Sequence, residues 1–187
     1  MQDTRAGAVA YAPDERAEAI GTAMLVFAQG GDLFQSRAQA LVNPVNCVGV
    51  MGRGLASEFK RRFPAYFEEY ARLCQEGQMQ PGRVRLHLCE APAPLQYIIS
   101  FPTKEHWRNP SRIEWIEQGL RDLARQIELH ALQSVALPAL GCGLGGLDYW
   151  TQVRPLLAEI LGKLKTQTLV RVYAPHEILM THRQGRS

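Results

Sequence analysis

The chain has 187 residues, a formal charge of +3, 46% hydrophobic and 21% charged residues. That length suits one domain, and the apolar fraction supports a core and excludes wholesale disorder. No apolar run reaches the roughly 20 residues that cross a bilayer, the first 21 residues lack an apolar signal core, and the charge falls short of a dedicated DNA-binding domain.

The four cysteines, Cys47, Cys74, Cys89 and Cys142, form no CxxC pair, and none has a histidine at zinc-finger spacing. They read as reduced thiols of a cytoplasmic protein. The five histidines are dispersed, so no metal site is expected.

Residues 1–21, rich in Ala, Glu and Arg and broken by Pro13, read as a partly helical extension outside the core. The core starts at Ala23–Ala28, a buried strand ended by Gly30-Gly31-Asp32. Ala40-Leu41-Val42 is a second strand closed by Asn43-Pro44, and a glycine-rich segment leads into a helix from Leu55 to Phe63. Pro64 opens the next helix, which runs to about Gly77.

From Arg83 to Leu88 polar and apolar residues alternate, which predicts a half-buried strand. Tyr97–Phe101 is a buried strand. Ser111 and Glu114 fit a capping box for a helix whose Ile113, Ile116, Leu120, Leu123 and Ile127 share one face. Ser134–Leu137 is another strand, Asp148 caps a helix to about Leu164, Thr168–Tyr173 is the last strand, and residues 176–187 form a basic polar tail. This alternation predicts one α/β domain over residues 22–175, with a mixed, mostly parallel sheet covered by helices on both faces. Ligands bind such sheets at the carboxyl ends of the strands.

Two loops at those ends carry the chemistry. Gly141-Cys142-Gly143-Leu144-Gly145-Gly146 has four glycines in six residues and joins a strand to a helix, an arrangement that presents backbone amides to phosphate. It is neither a Walker loop nor a G-x-G-x-x-G turn. Asn43 and Asn46, three apart before Gly49, Gly52 and Gly54, suit sugar hydroxyls or, equally, an Asx-turn and helix cap.

With Gly30-Gly31-Asp32-Leu33, these two loops make the chain resemble the macrodomain family of ADP-ribose-binding modules, from about Met24 to Tyr173. The resemblance implies a three-layer α/β/α fold. Within the family, Val45–Ala56, Phe101–Trp107 and Gly145–Asp148 are similar to the branch that holds DarG antitoxins and the eukaryotic terminal ADP-ribose protein glycohydrolase. It implies an enzyme that removes ADP-ribose from thymidine in single-stranded DNA, reversing a DarT-like toxin. Hydrolysis of ADP-ribosyl-glutamate or O-acetyl-ADP-ribose and a non-catalytic binding module are the alternatives. No cofactor is implied, the chain is expected to be monomeric, and its length is expected to leave no room for the further C-terminal domain of longer DarG proteins.

By the same resemblance, Asp32 accepts the adenine amine and Leu33 offers its amide. Asn46 holds the distal ribose and Asn43 orders that loop. Val50, Met51, Gly52, Arg53 and Gly54 wrap the pyrophosphate and distal ribose with Gly141, Cys142, Gly143, Leu144, Gly145, Gly146 and Leu147, and Tyr173 stacks on adenine or packs in the core. Lys104 is the expected catalytic residue, attacking the anomeric carbon or supporting the departing thymine anion. The eukaryotic relative's assisting aspartate falls at Gly145 here, so the acid or base is open, with Asp148 nearby as a helix cap. His106, Trp107 and Arg108 suit a nucleic-acid rim, where cations pair phosphate and tryptophan stacks a base. Lys60, Arg61 and Arg62 extend that basic surface or form a solvated helix face, and Trp115 is read as packing.

Overall fold

The computed structural model describes residues 15–20, by their backbone, and 23–175. The expectations for residues 1–14 and for the tail at 176–187 lie outside the described residues. Seven strands form one sheet: β1 (Glu15–Ile20), β2 (Ala23–Gln29), β3 (Ala40–Val45), β4 (Arg85–Leu88), β5 (Tyr97–Pro102), β6 (Ser134–Pro138) and β7 (Leu169–Ala174), ordered β1-β2-β7-β6-β3-β5-β4. The five central strands run parallel, and β1 and β4 close the edges antiparallel. Residues 15–20, expected outside the core and partly helical, instead form a strand that pairs with Ala23–Ala28 of β2.

Helices α1 (Gly54–Arg62) and α2 (Pro64–Gln75) cover one face, and α3 (Ile113–Leu129) and α4 (Arg154–Leu161) the other. The alternation of strand side chains divides the core accordingly. Val42, Ile99, Val135 and Val172 join α3 and α4, while Leu41, Ile98 and Ala136 join Phe59, Tyr66 and Tyr70. These parallel strands are buried on both faces, as near-continuous apolar runs demand. Pro64 breaks the helical run into α1 and α2 because it has no amide to continue the first helix.

Two local expectations are corrected. Asn43 and Pro44 do not close β3 but lie inside it, opposite Ser100 and Phe101 of β5. β3 pairs with β6 only at Ala40 and Leu41, so Pro44, which lacks an amide, stands where the two strands have parted. On β4, Leu86 packs on the α3 side, His87 is buried toward α2 beside Ser100 and Glu69, and Leu88 is 80% exposed. The capping box does not form: α3 starts at Ile113 with Arg112 as an uncapped N-cap, and the Ser111 hydroxyl is buried without a partner.

From β3 the chain moves to β5 on one side, and from β6 to β7 on the other. The order therefore reverses between β3 and β6, where an open α/β sheet leaves a crevice for ligand.

Candidate active site

Loops after β2, β3, β5 and β6 meet the end of β7 around that crevice, forming two adjoining hollows. The first, of roughly 560 Å³, lies between the loop after β3 and the loop after β6 and is bordered by Lys104 and Trp107. The second lies toward Asp32, Tyr149 and Tyr173. Leu55, Pro138, Ala139 and Gly143 line both, so the hollows form one continuous cleft.

The wall after β3 is folded by Asn46. Its Oδ1 accepts from the amides of Val48 at 3.0 Å and Val50 at 3.3 Å, and its Nδ2 donates to the Val50 carbonyl at 2.6 Å. From α2, Tyr70 donates to the Asn46 carbonyl at 2.8 Å. The Asn46 side chain thus orders the loop, the part the sequence suggested for Asn43, although Asn46 still borders the first hollow. Asn43 lies beneath the loop, fully buried. Its Nδ2 donates to Tyr66 Oη at 3.0 Å and lies 3.8 Å from Met51 Sδ. Neither Asn43 nor Met51 lines the cleft.

Beyond this loop, Gly52, Arg53 and Gly54 lead into α1. No side chain caps its first turn, so the positive end of the helix borders the first hollow and suits an anion. Lys60, Arg61 and Arg62 point elsewhere: Lys60 sits 4.0 Å from the Phe67 ring centre, and Arg61 and Arg62 both pair with Glu58. They form the solvated helix face, with no share in the cleft.

The opposite wall is made of backbone. Gly141, at φ 72°, takes a conformation that favours glycine, and its carbonyl accepts from the Leu147 amide at 3.1 Å. At Gly145 a Cβ would run into the Gly141 carbonyl oxygen and Ser111 Oγ. No acidic side chain can therefore stand at this position. Gly143 faces open space.

Lys104 follows β5 and reaches this wall, its Nζ donating to the Leu144 carbonyl at 2.6 Å. Two bonds brace its segment against the first wall: Thr103 N to the Val45 carbonyl at 2.9 Å and Cys47 N to the Glu105 carbonyl at 3.0 Å. Partial burial lowers the Lys104 pKa below that of a free lysine, raising the fraction of neutral, nucleophilic amine. Burial acts oppositely on the nearby thiols, pushing Cys47 and Cys142 up to about 12 and leaving both without thiolate. Asp148 caps the turn at Tyr149–Val153, accepting from the Thr151 amide at 2.7 Å; its bonds to Thr151 lower its pKa, which suits a cap and not a proton donor.

In the second hollow, Asp32 Oδ1 accepts from the Phe34 amide at 2.9 Å, ordering the turn after β2. Leu33, Cys142, Leu147 and Tyr173 line the same space. Of the rim residues only Trp107 lines the cleft. His106 stacks on it with ring centres 5.4 Å apart, and the Arg108 guanidinium lies 4.6 Å from its ring centre. Gly146 lies outside both linings. Leu55, Thr103, Ser111, Pro138 and Trp150 also border the cleft and carried no sequence signal of their own, except that Ser111 resembled a cap. Among the described residues no group of three or more His, Cys, Asp or Glu is gathered as for a metal.

A mixed, mostly parallel sheet between helical layers, with two amide-rich loops across its switch point, has the form that suits nucleotide-like ligands. The chain belongs to the macrodomain family: the Macro domain model matches residues 42–155. A DNA ADP-ribosyl glycohydrolase of Thermus aquaticus is 45% identical over 159 residues, covering 85% of this chain and 43% of that protein. Among solved structures, the macrodomain of Thermus aquaticus DarG is 44% identical with a TM-score of 0.75, over 81% of this chain and 98% of that one. Thermosipho africanus DarTG in complex with ADP-ribose has 37% identity and a TM-score of 0.75, over 86% of this chain and 43% of that one. The chain therefore spans about two fifths of the curated relative it matches at 45% identity.

Proposed function

We propose that the chain binds ADP-ribose along the two hollows and hydrolyses its bond to thymidine in single-stranded DNA. The second hollow takes the adenine, with Asp32, Leu33 and Tyr173 around it. The uncapped turn of α1 and the amides of the loop after β6 take the pyrophosphate, which places the distal ribose in the first hollow before Lys104. The observation that carries the reading is the placement of Lys104. It is a partly desolvated amine braced between both walls, while the cysteines are protonated and Gly145 excludes an acid.

The Lys104 amine attacks the anomeric carbon, and the electron pair of the bond to the base leaves with thymine, which then takes up a proton. Water hydrolyses the sugar–lysine adduct and regenerates the amine. A single strand presents its base without the cost of flipping it from a duplex, and Trp107 and Arg108 suit its stacked bases and phosphates. The relative named DNA ADP-ribosyl glycohydrolase supports a DNA conjugate as substrate, and the DarTG relative supports a DarT-like toxin as the enzyme whose product is reversed. We place the protein in the cytoplasm, where its thiols stay reduced.

Incubation with an ADP-ribosylated single-stranded oligonucleotide should release ADP-ribose, and Lys104→Ala should slow release by at least about 100-fold. An intact oligonucleotide after prolonged incubation with folded protein would overturn the reading. Turnover of an ADP-ribosyl-glutamate peptide in its place would move the substrate to protein. ADP-ribose binding with neither turnover would leave a binding module.

A further inference from the structure

Leu144 has no part in the fold. It sits at the tip of a loop otherwise made of small residues, and it is 73% exposed. Its carbonyl holds Lys104, and the residue lines the first hollow with Lys104, at the expected reaction centre. Trp107, 47% exposed, lines the same hollow. The contacts with His106 and Arg108 hold the Trp107 ring in place. Val50 lines the hollow as well and is also exposed.

A single exposed leucine needs no explanation on a protein surface. Here, however, three of the eight large exposed hydrophobic side chains among the described residues line one hollow. Phosphate and ribose hydroxyls gain nothing from such groups, since both seek amides, cations and hydroxyls. The part of the substrate that does gain is the one beyond the anomeric carbon, the group that leaves. A flat unsaturated ring buries two apolar faces and costs little side-chain entropy, whereas a flexible carboxylate side chain offers neither advantage.

We infer that Leu144 is a specificity-determining residue. With Trp107 it forms an apolar slot for the ring of the departing base, favouring a methyl-bearing pyrimidine over a carboxylate linked to protein. This rests on the glycohydrolase reading and adds the recognition of the leaving group. The loop backbone serves the phosphates, and the Leu144 side chain serves the base.

The test compares wild type, Leu144→Ser and Leu144→Met. Each is assayed for kcat and KM on ADP-ribosylated oligonucleotide and for affinity toward free ADP-ribose by calorimetry. Leu144→Ser should raise KM on the oligonucleotide about tenfold, in line with the loss of one apolar contact to a base, while ADP-ribose affinity changes less than twofold. Leu144→Met should restore most of the wild-type KM. An unchanged KM in Leu144→Ser would overturn the slot, as would a parallel fall in ADP-ribose affinity, which would mean damage to the loop. Wild-type protein that leaves the oligonucleotide intact would overturn the glycohydrolase reading and the slot with it. An active wild type with an unaffected serine variant would overturn the slot alone.

Discussion

The wall of the cleft after β3 is held by side chains from a neighbouring helix, whereas the wall after β6 is held mainly through bonds to its backbone. Behind the first wall, Tyr70 fixes Asn46 and Tyr66 fixes Asn43. The network continues through Ser100 Oγ, 2.8 Å from Tyr66 Oη, to His87 Nε2 at 3.1 Å. The second wall has no such buried side-chain network among the described residues, and from outside it takes the Lys104 amine on the Leu144 carbonyl. Its turn is closed by Leu147 N to the Gly141 carbonyl and by Ser111 N, from the segment before α3, to the Gly145 carbonyl, and Leu144 is left exposed at the first hollow. Changes to the first wall should therefore cost stability and binding together. Changes to the second should cost binding or turnover in a fold that stays intact.

Gly143→Glu makes the sharpest separation. A Cβ at this position meets nothing within 4 Å, so the variant should fold with a melting temperature close to wild type. Its carboxylate would enter the amide-lined turn where a phosphate is expected, and like charges in a shared site repel. Affinity for ADP-ribose should fall by at least about 100-fold, or about 2.7 kcal/mol. Calorimetry beside a thermal melt checks both halves. Unchanged affinity would remove this wall from the ligand site, and a large loss of stability would break the contrast.

Tyr70→Phe probes the other wall. The phenol is fully buried and donates to an asparagine carbonyl inside the loop. Losing it leaves that acceptor without this donor, a cost of about 1–3 kcal/mol. Urea unfolding should record that loss, and ADP-ribose affinity should weaken several-fold in the same variant. A destabilised protein with wild-type affinity would mean that the loop keeps its shape without the buttress.

Much of the second wall was legible in the sequence and much of the first was not, for a physical reason. Four glycines in six residues mark a turn whose function lies in its own backbone, so the sequence of that segment carries nearly the whole signal. The order of Asn43 and Asn46 depends on Tyr66 and Tyr70, which lie at least 23 residues downstream and look like core aromatics on a helix. Lys104 was readable from its Phe-Pro-Thr-Lys context, but its bond to Leu144 spans 40 residues and emerges only when β5 and β6 lie on either side of β3. Ser111 misled because a serine three residues before a glutamate is the pattern of a cap. In the folded chain it instead lies under Gly145, where its size helps explain why that position must be glycine.

The same contrast extends to pH. His87 is buried, with Nδ1 3.1 Å from Glu69 Oε2 and Nε2 facing Ser100, the Tyr66 ring edge-on at 4.9 Å and Arg85 nearby on its strand. Desolvation outweighs the pull of Glu69 and lowers its pKa from 6.5. Above that value the imidazole is neutral both folded and unfolded, and its contribution to stability is fully present. As pH falls below 6.5, the unfolded chain takes up a proton that the folded chain refuses, so stability declines until the lowered folded value is passed. The urea midpoint should therefore fall between pH 7.5 and pH 5 by more in wild type than in His87→Gln. Because the folded chain keeps His87 neutral until that lowered value is reached, the network behind Asn43, and ADP-ribose affinity with it, should hold while the midpoint already falls. Midpoints that fall in parallel for the two proteins would detach His87 from the first wall, and this smallest of the expected effects would then have to arise elsewhere in the chain.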